Sequence, residues 1–387
     1  MNSSFKAPFF SRSILEVHLN SLKKNLQQLK SLSDPEVFFC PMVKDEAYGL
    51  GAIPVTKALL EEGVRQVGVI SIQEARQIRE ALKEDFGLLV FGPVLDPKEL
   101  HWAFQNNVTL VVSNWLDLES LKDFSKIRIH LKFDTGFSRL GFACSEAQKI
   151  KTYLDQQKNI EVEALCTQLI FSEDQNQFES QVKQLEALRS GLFPDAFLHI
   201  FNTAALCASS FNERSKKFSS IGARPGIGLY GIKPDLRIKD ANLKKKWDAF
   251  SLEMAACLKS YVCNIHHLNQ GDRVSYLGTW TAPKACIIAT VSLGYGDGFF
   301  RSADTQREVL FRGQRAPIVG AVCMDFFMID VTKCIQDKKE VCLGEEVVIF
   351  GRQEGAFLPI EEHAQKSGTI PYELLVRLGP RVQRVYV

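Results

Sequence analysis

Val37-Phe38-Phe39-Cys40-Pro41-Met42-Val43 is an apolar run of strand length, and it stops on Lys44-Asp45-Glu46-Ala47-Tyr48-Gly49. A run that is apolar on both faces suits a buried parallel strand. Working outward, similar runs recur at residues 66–70, 88–91, 109–112, 127–133, 162–167 and 197–201, with a weaker one at 219–224. Helical patterns lie between them. Leu22, Leu26 and Leu29 precede the first run, and Phe178, Val182, Leu185 and Leu188 share one face of a helix. Strands alternating with helices at this spacing predict an α/β fold, a (β/α)8 TIM-type barrel. A doubly wound open sheet has the same periodicity and stays open as the alternative.

The texture changes after about residue 235. Residues 233–247 are rich in Lys and Asp and read as a solvated connection. Beyond them, short β-type runs at 261–265, 285–291, 317–322, 327–331 and 345–349 are separated by Gly and Asp. The expected domains are a barrel over residues 12–240 and a mostly β domain over 241–387.

The 387 residues carry 47 Lys and Arg against 45 Asp and Glu, too even a balance for a nucleic-acid binder working through a basic surface. A 45% hydrophobic content supports a large core. Neither a signal-peptide pattern nor an apolar run of about 18 residues is present, so no membrane partner is expected. The ten cysteines form no CxxC pair and read as reduced thiols of a cytoplasmic protein, not a disulfide framework or a zinc site.

Barrel enzymes place their chemistry where the strands end. Lys44 ends the first run, so its stem is buried and its amine is a candidate nucleophile, or simply a lysine reaching solvent. The fifth run ends with Lys132, Asp134 and, past a glycine, Arg139; Arg suits bidentate carboxylate binding, and a structural ion pair is the plainer alternative. Thr203 follows the seventh run and reads as a helix cap, either structural or part of an anion site. The glycines of Arg224-Pro225-Gly226-Ile227-Gly228-Leu229-Tyr230-Gly231 let backbone N–H groups approach a phosphate.

These segments in this order resemble the alanine racemases, the pyridoxal-phosphate enzymes built from a barrel and a β domain. The resemblance covers residues 12–387. It rests on Val43-Lys44 through Tyr48-Gly49, Lys132 through Gly141, and Arg224 through Gly231. In the second domain it rests on Val274-Ser275-Tyr276, Gly294-Tyr295 through Gly298, Pro317 through Asp325, Pro371-Tyr372-Glu373 and Arg377 through Arg381. It implies a cytoplasmic homodimeric isomerase with shared active sites, acting on a small amino acid and supplying D-alanine for peptidoglycan. Lys44 would carry pyridoxal 5'-phosphate and act as one base. Tyr276, from the partner subunit, would be the other. Arg224 would face the pyridine nitrogen. Tyr48, Thr203, Tyr372 and the backbone of Gly226 and Ile227 would hold the phosphate. Arg139 and the backbone of Met324 would face the substrate carboxylate, Met324 coming from the partner subunit. Lys132 matches a position often carbamylated, which would orient Arg139, and Tyr295, Asp325 and Ile370 would line the entrance. A racemase of serine or a wider amino-acid range, and a low-activity pyridoxal-phosphate-binding paralogue, are the alternatives.

The two-base assignment is physically coherent, because racemisation removes a proton from one face and returns one on the other. Tyrosine, with an ordinary pKa near 10, needs help to ionise. Relatives usually supply a histidine after the sixth strand, where this chain has Gln168. Asp45-Glu46, Leu50 and Phe201 are further departures, and Asp45-Glu46 and Phe201 are expected to bear on the shape of the pocket.

Overall fold

The computed structural model describes residues 12–387 except 95, 173, 212–219, 235, 237, 239–240, 302–306 and 336–339. The chain forms two compact units. One comprises Asn20–Ala47 and Gly51–Glu253; the other comprises the segment ending at Leu19, Tyr48–Leu50 and Met254–Val387.

In the first unit seven strands lie side by side, all parallel: Gln66–Val69, Gly87–Val90, Val108–Val112, Ile127–Asp134, Ile160–Cys166, Phe197–Phe201 and Gly222–Ala223. Residues 37–43 close the ring. Phe39 bridges Ala223 on one side and Met42 bridges Gly68 on the other, both parallel. Pro41 lacks an N–H and interrupts regular pairing there. Its carbonyl still accepts from Gly68 N at 2.8 Å, and the Tyr230 hydroxyl donates to Met42 O at 2.7 Å. Closure selects the barrel over the open sheet. The helices bury the faces their spacing predicts: Leu22, Leu26 and Leu29 of Leu19–Lys30, and Phe178, Val182 and Leu185 of Gln175–Leu192.

In the second unit a closed circuit of antiparallel strands runs Ala256–Leu268, Glu346–Gln353, Glu308–Phe311, Gln314–Val319, Phe327–Asp330 and Cys286–Val291, and back to the first. The 13-residue strand Ala256–Leu268 makes this possible. Its first part pairs with Glu346–Gln353 and its second with Cys286–Val291, with a register shift between Val262 and Asn264. Phe311, Phe327 and Val347 are fully buried.

Three features differ from the sequence reading. Ser13–Val17, counted there at the head of the barrel, pairs antiparallel with Ala256–Ser260 and parallel with Gln383–Tyr386, so it belongs to the β unit. The Lys-rich connection contains a helix, Ala241–Ala249, whose Leu243 and Trp247 are buried one turn apart. The β unit also contains two helices, Ile360–Lys366 and Pro371–Val376, before its last strand. The eighth run narrows to Gly222–Ala223; its first residue, 219, lies outside the described residues.

Candidate active site

Lys44 leaves the first barrel run one-third exposed, with its Nζ 3.2 Å from the Asp45 carboxylate. Asp45, Glu46, Ala47 and Tyr48 then all take positive φ, between 51° and 57°, a turn of left-handed helix. Each such non-glycine residue costs roughly 1–2 kcal/mol, strain that persists only where surroundings impose it. Glu74 imposes it here. Its carboxylate accepts from Asp45 N and Ile70 N, both at 2.7 Å, while completing a capping box with Ser71. Sequence reasoning missed Glu74, although Ser71-Ile72-Gln73-Glu74 spells that box.

Arg224, nearly buried, is the best-supported side chain of the barrel mouth. Nη1 donates to His199 Nδ1 at 2.8 Å and to the His199 carbonyl, and Nη2 donates to Thr167 O at 2.9 Å. Three of its five N–H donors are thus engaged among the described residues. Burial lowers its pKa, yet a guanidinium starts so high that it stays a cation. Burial raises the thiols beside it, Cys40 to about 12 and Cys166 in the same direction, so both stay neutral.

Thr203 does not cap its helix. Asn202 does, its Oδ1 accepting from Ala205 N at 2.8 Å. The Thr203 hydroxyl instead accepts from Gly226 N at 3.1 Å and Gly228 N at 3.3 Å, pinning the glycine loop. A Cβ on Gly228 would lie 2.5 Å from the Thr203 methyl, so this packing needs glycine.

Lys132 is buried, and burial lowers its pKa. Asp134 does not pair with it. That carboxylate accepts from Gly136 N and Ser138 N, shaping the loop that carries Arg139. Arg139 is exposed and stacks on Phe137 at 4.5 Å. Gln168 is half-buried at the end of Ile160–Cys166; its carbonyl accepts from Gln181, which also reaches Thr135 and Ile170 N. Phe201 is buried against Phe178, and Leu50 is fully buried.

The β unit holds the remaining candidates. Tyr276 is 66% exposed and Leu277 89% exposed, at the tip of a hairpin whose strands Arg273–Val274 and Trp280–Thr281 pair. The hairpin rests on a cluster of Val274, Ala282, Cys286, Ile288 and Val319. Ser275 Oγ anchors its turn to Ala321 O at 2.6 Å. Beside it, a groove of about 490 Å³ is lined by Tyr276, His266, Arg273 and Cys323. The 294–298 loop packs on the 323–326 loop: Gly296 N donates to Met324 O at 2.8 Å, and Arg381 joins Asp297 and Asp325. Tyr295, Met324 and Asp325 are thereby brought together, with Tyr295 and Met324 exposed. Ile370 caps Pro371–Val376 and is exposed. Tyr48 and Tyr372 lie with ring centroids 6.2 Å apart, and burial pushes the Tyr372 hydroxyl up to about 12, so it donates as a neutral phenol.

Two family models match the chain: "Alanine racemase, N-terminal domain" over residues 17–234 and "Alanine racemase, C-terminal domain" over residues 255–386. The alanine racemase of Desulforamulus reducens is 32% identical over 385 residues, covering 96% of this chain and 98% of that protein. That of Methanococcus maripaludis is 31% identical and covers 96% and 98%. Among solved structures, the alanine racemase from Bacillus anthracis with bound L-Ala-P superposes with a TM-score of 0.84 at 31% identity, over 98% of this chain and 96% of that one. The Clostridium difficile alanine racemase gives 0.85 at 27% identity, with the same coverage.

Proposed function

The chain belongs to the alanine racemase family, a pyridoxal-phosphate-dependent isomerase family interconverting L- and D-alanine, and from that premise we propose how its residues divide the work. The residues present fit the cofactor. Among the described residues Arg224 keeps two N–H donors beyond those engaged by His199 and Thr167, and the Thr203 hydroxyl fixes the glycine loop by accepting from Gly226 N and Gly228 N, with Ile227 N between them left to face an anion. When bound, pyridoxal phosphate acidifies the substrate Cα–H by acting as an electron sink.

Lys44 holds the cofactor through its amine and moves the proton on one face of the substrate. Tyr276 moves it on the other. Arg224 would face the ring nitrogen of the bound cofactor and, being unable to accept a proton, would leave that nitrogen unprotonated. Tyr48, Thr203, Tyr372, Gly226 and Ile227 hold the phosphate. Arg139 and, from the other subunit, the backbone at position Met324 bind the substrate carboxylate. Carbamylation of Lys132 would give Arg139 an anionic neighbour, and the burial-lowered amine suits that modification. Tyr295, Asp325 and Ile370 border the entrance. The working unit is a homodimer in which Tyr276 serves the partner's site; its exposure together with Leu277, Met324 and Phe326 supports this reading. The location is the cytoplasm and the product feeds peptidoglycan.

The observation that carries the assignment is the buried Arg224 guanidinium at a barrel-strand end. Chiral analysis of L-alanine incubated with purified protein and added pyridoxal phosphate tests it. D-alanine establishes the reaction; its absence with cofactor bound redirects the search to serine and other amino acids.

A further inference from the structure

Behind Arg224 a line of polar side chains runs through the apolar interior of the barrel. His199 Nε2 lies 2.9 Å from His130 Nδ1, and His130 Nε2 lies 3.5 Å from the Glu163 carboxylate, which pairs with Arg128 at 2.9 Å. His199 and His130 are buried. Aromatic rings sheathe them: Phe38 and Phe197 pack on both, and Phe91 packs edge-on to His199.

The proton positions along this line follow from one end. A guanidinium donates only, so His199 Nδ1, 2.8 Å from Arg224 Nη1, is an acceptor and carries no hydrogen. The His199 hydrogen is then on Nε2 and donates to His130 Nδ1. That places the His130 hydrogen on Nε2, facing Glu163. Both rings are neutral, and every donor points away from Arg224. Burial, which lowers both histidine pKa values, favours the same state.

We propose that His199, His130 and Glu163 form a positioning relay that orients the Arg224 guanidinium and links it to a half-buried counter-charge at the far end of the line. No carboxylate lies within 4 Å of Arg224 among the described residues, and the first carboxylate along this line is Glu163, two imidazoles away and 3.5 Å from His130. The relay's weight in catalysis rests on the reading that Arg224 serves the cofactor; its geometry does not.

The test uses ¹⁵N-histidine-labelled holoenzyme. Long-range ¹H–¹⁵N correlations should show His199 and His130 as neutral Nε2–H tautomers. In His130→Leu, kcat should fall about tenfold at nearly constant KM, the effect of leaving a buried donor unpaired. His130→Gln should restore most of kcat, because its amide accepts from His199 and donates toward Glu163. An Nδ1–H tautomer on either histidine, or a His130→Leu enzyme with unchanged kcat, overturns the proposal. Should the wild-type protein racemise nothing, the tautomers still report on the relay, so its failure and that of the functional assignment are separable.

Discussion

Lys44 and Tyr276 make the sharpest predictions. Lys44→Ala should remove the lysine-bound cofactor absorbance and the activity together. Tyr276→Phe should keep the cofactor while racemisation falls by roughly two orders of magnitude or more, as for loss of a positioned base; normal turnover in that variant rejects the two-base assignment. Gln168→His should raise activity or move its pH optimum. If neither changes, position 168 does not act on the tyrosine. The placement of single residues was legible where a polar side chain follows an apolar run, as at Lys44 and Arg224. It was not legible where the role depends on a partner far along the chain. Thr203 spells a cap, but its hydroxyl is spent on Gly226 and Gly228, and Asn202 caps instead. Asp134 reads as an ion-pair partner for Lys132, yet two nearby backbone N–H groups are better-placed donors.

Among the elements, the loop after Ile127–Asp134 depends on glycine. Gly141 has φ +131°, and a Cβ there would sit 2.6 Å from Asp134 N. Gly141→Ala should destabilise the fold by about 2–4 kcal/mol through strain and overlap, read as a lower urea midpoint at unchanged m. Ser71→Ala removes a helix cap worth about 1 kcal/mol. It also loosens Glu74, so Lys44 should bind cofactor more weakly than the stability loss alone explains. Most barrel strands were legible because a strand covered on both faces is continuously apolar. Glu308–Phe311 and the helix Ala241–Ala249 were not. The helix shows just two large apolar positions, Leu243 and Trp247, amid lysines.

For the molecule as a whole, His363 makes stability acid-sensitive. Burial first and Arg307 second lower its pKa to about 4. The unfolded chain binds that proton below about 6.5 and the folded chain does not, so stability present above that value is lost as pH falls toward 4, by about 3 kcal/mol. His363→Leu should flatten the pH dependence of the melting temperature over this window. Leu277→Asp, placing a charge on the exposed hairpin tip, should yield monomers by light scattering and, with Tyr276 serving a partner's site, little activity. The sequence alone determined the number and order of the apolar runs, the change of texture after residue 235 and the polar residues that follow those runs, because periodicity and composition are local properties. Only the tertiary structure decided that residues 37–43 close the ring, that Ser13–Val17 joins a strand 240 residues later, and that His130 meets His199. A backbone N–H or an imidazole nitrogen is satisfied by any acceptor the fold brings within about 3 Å. Nothing in its neighbours along the chain says which one that is.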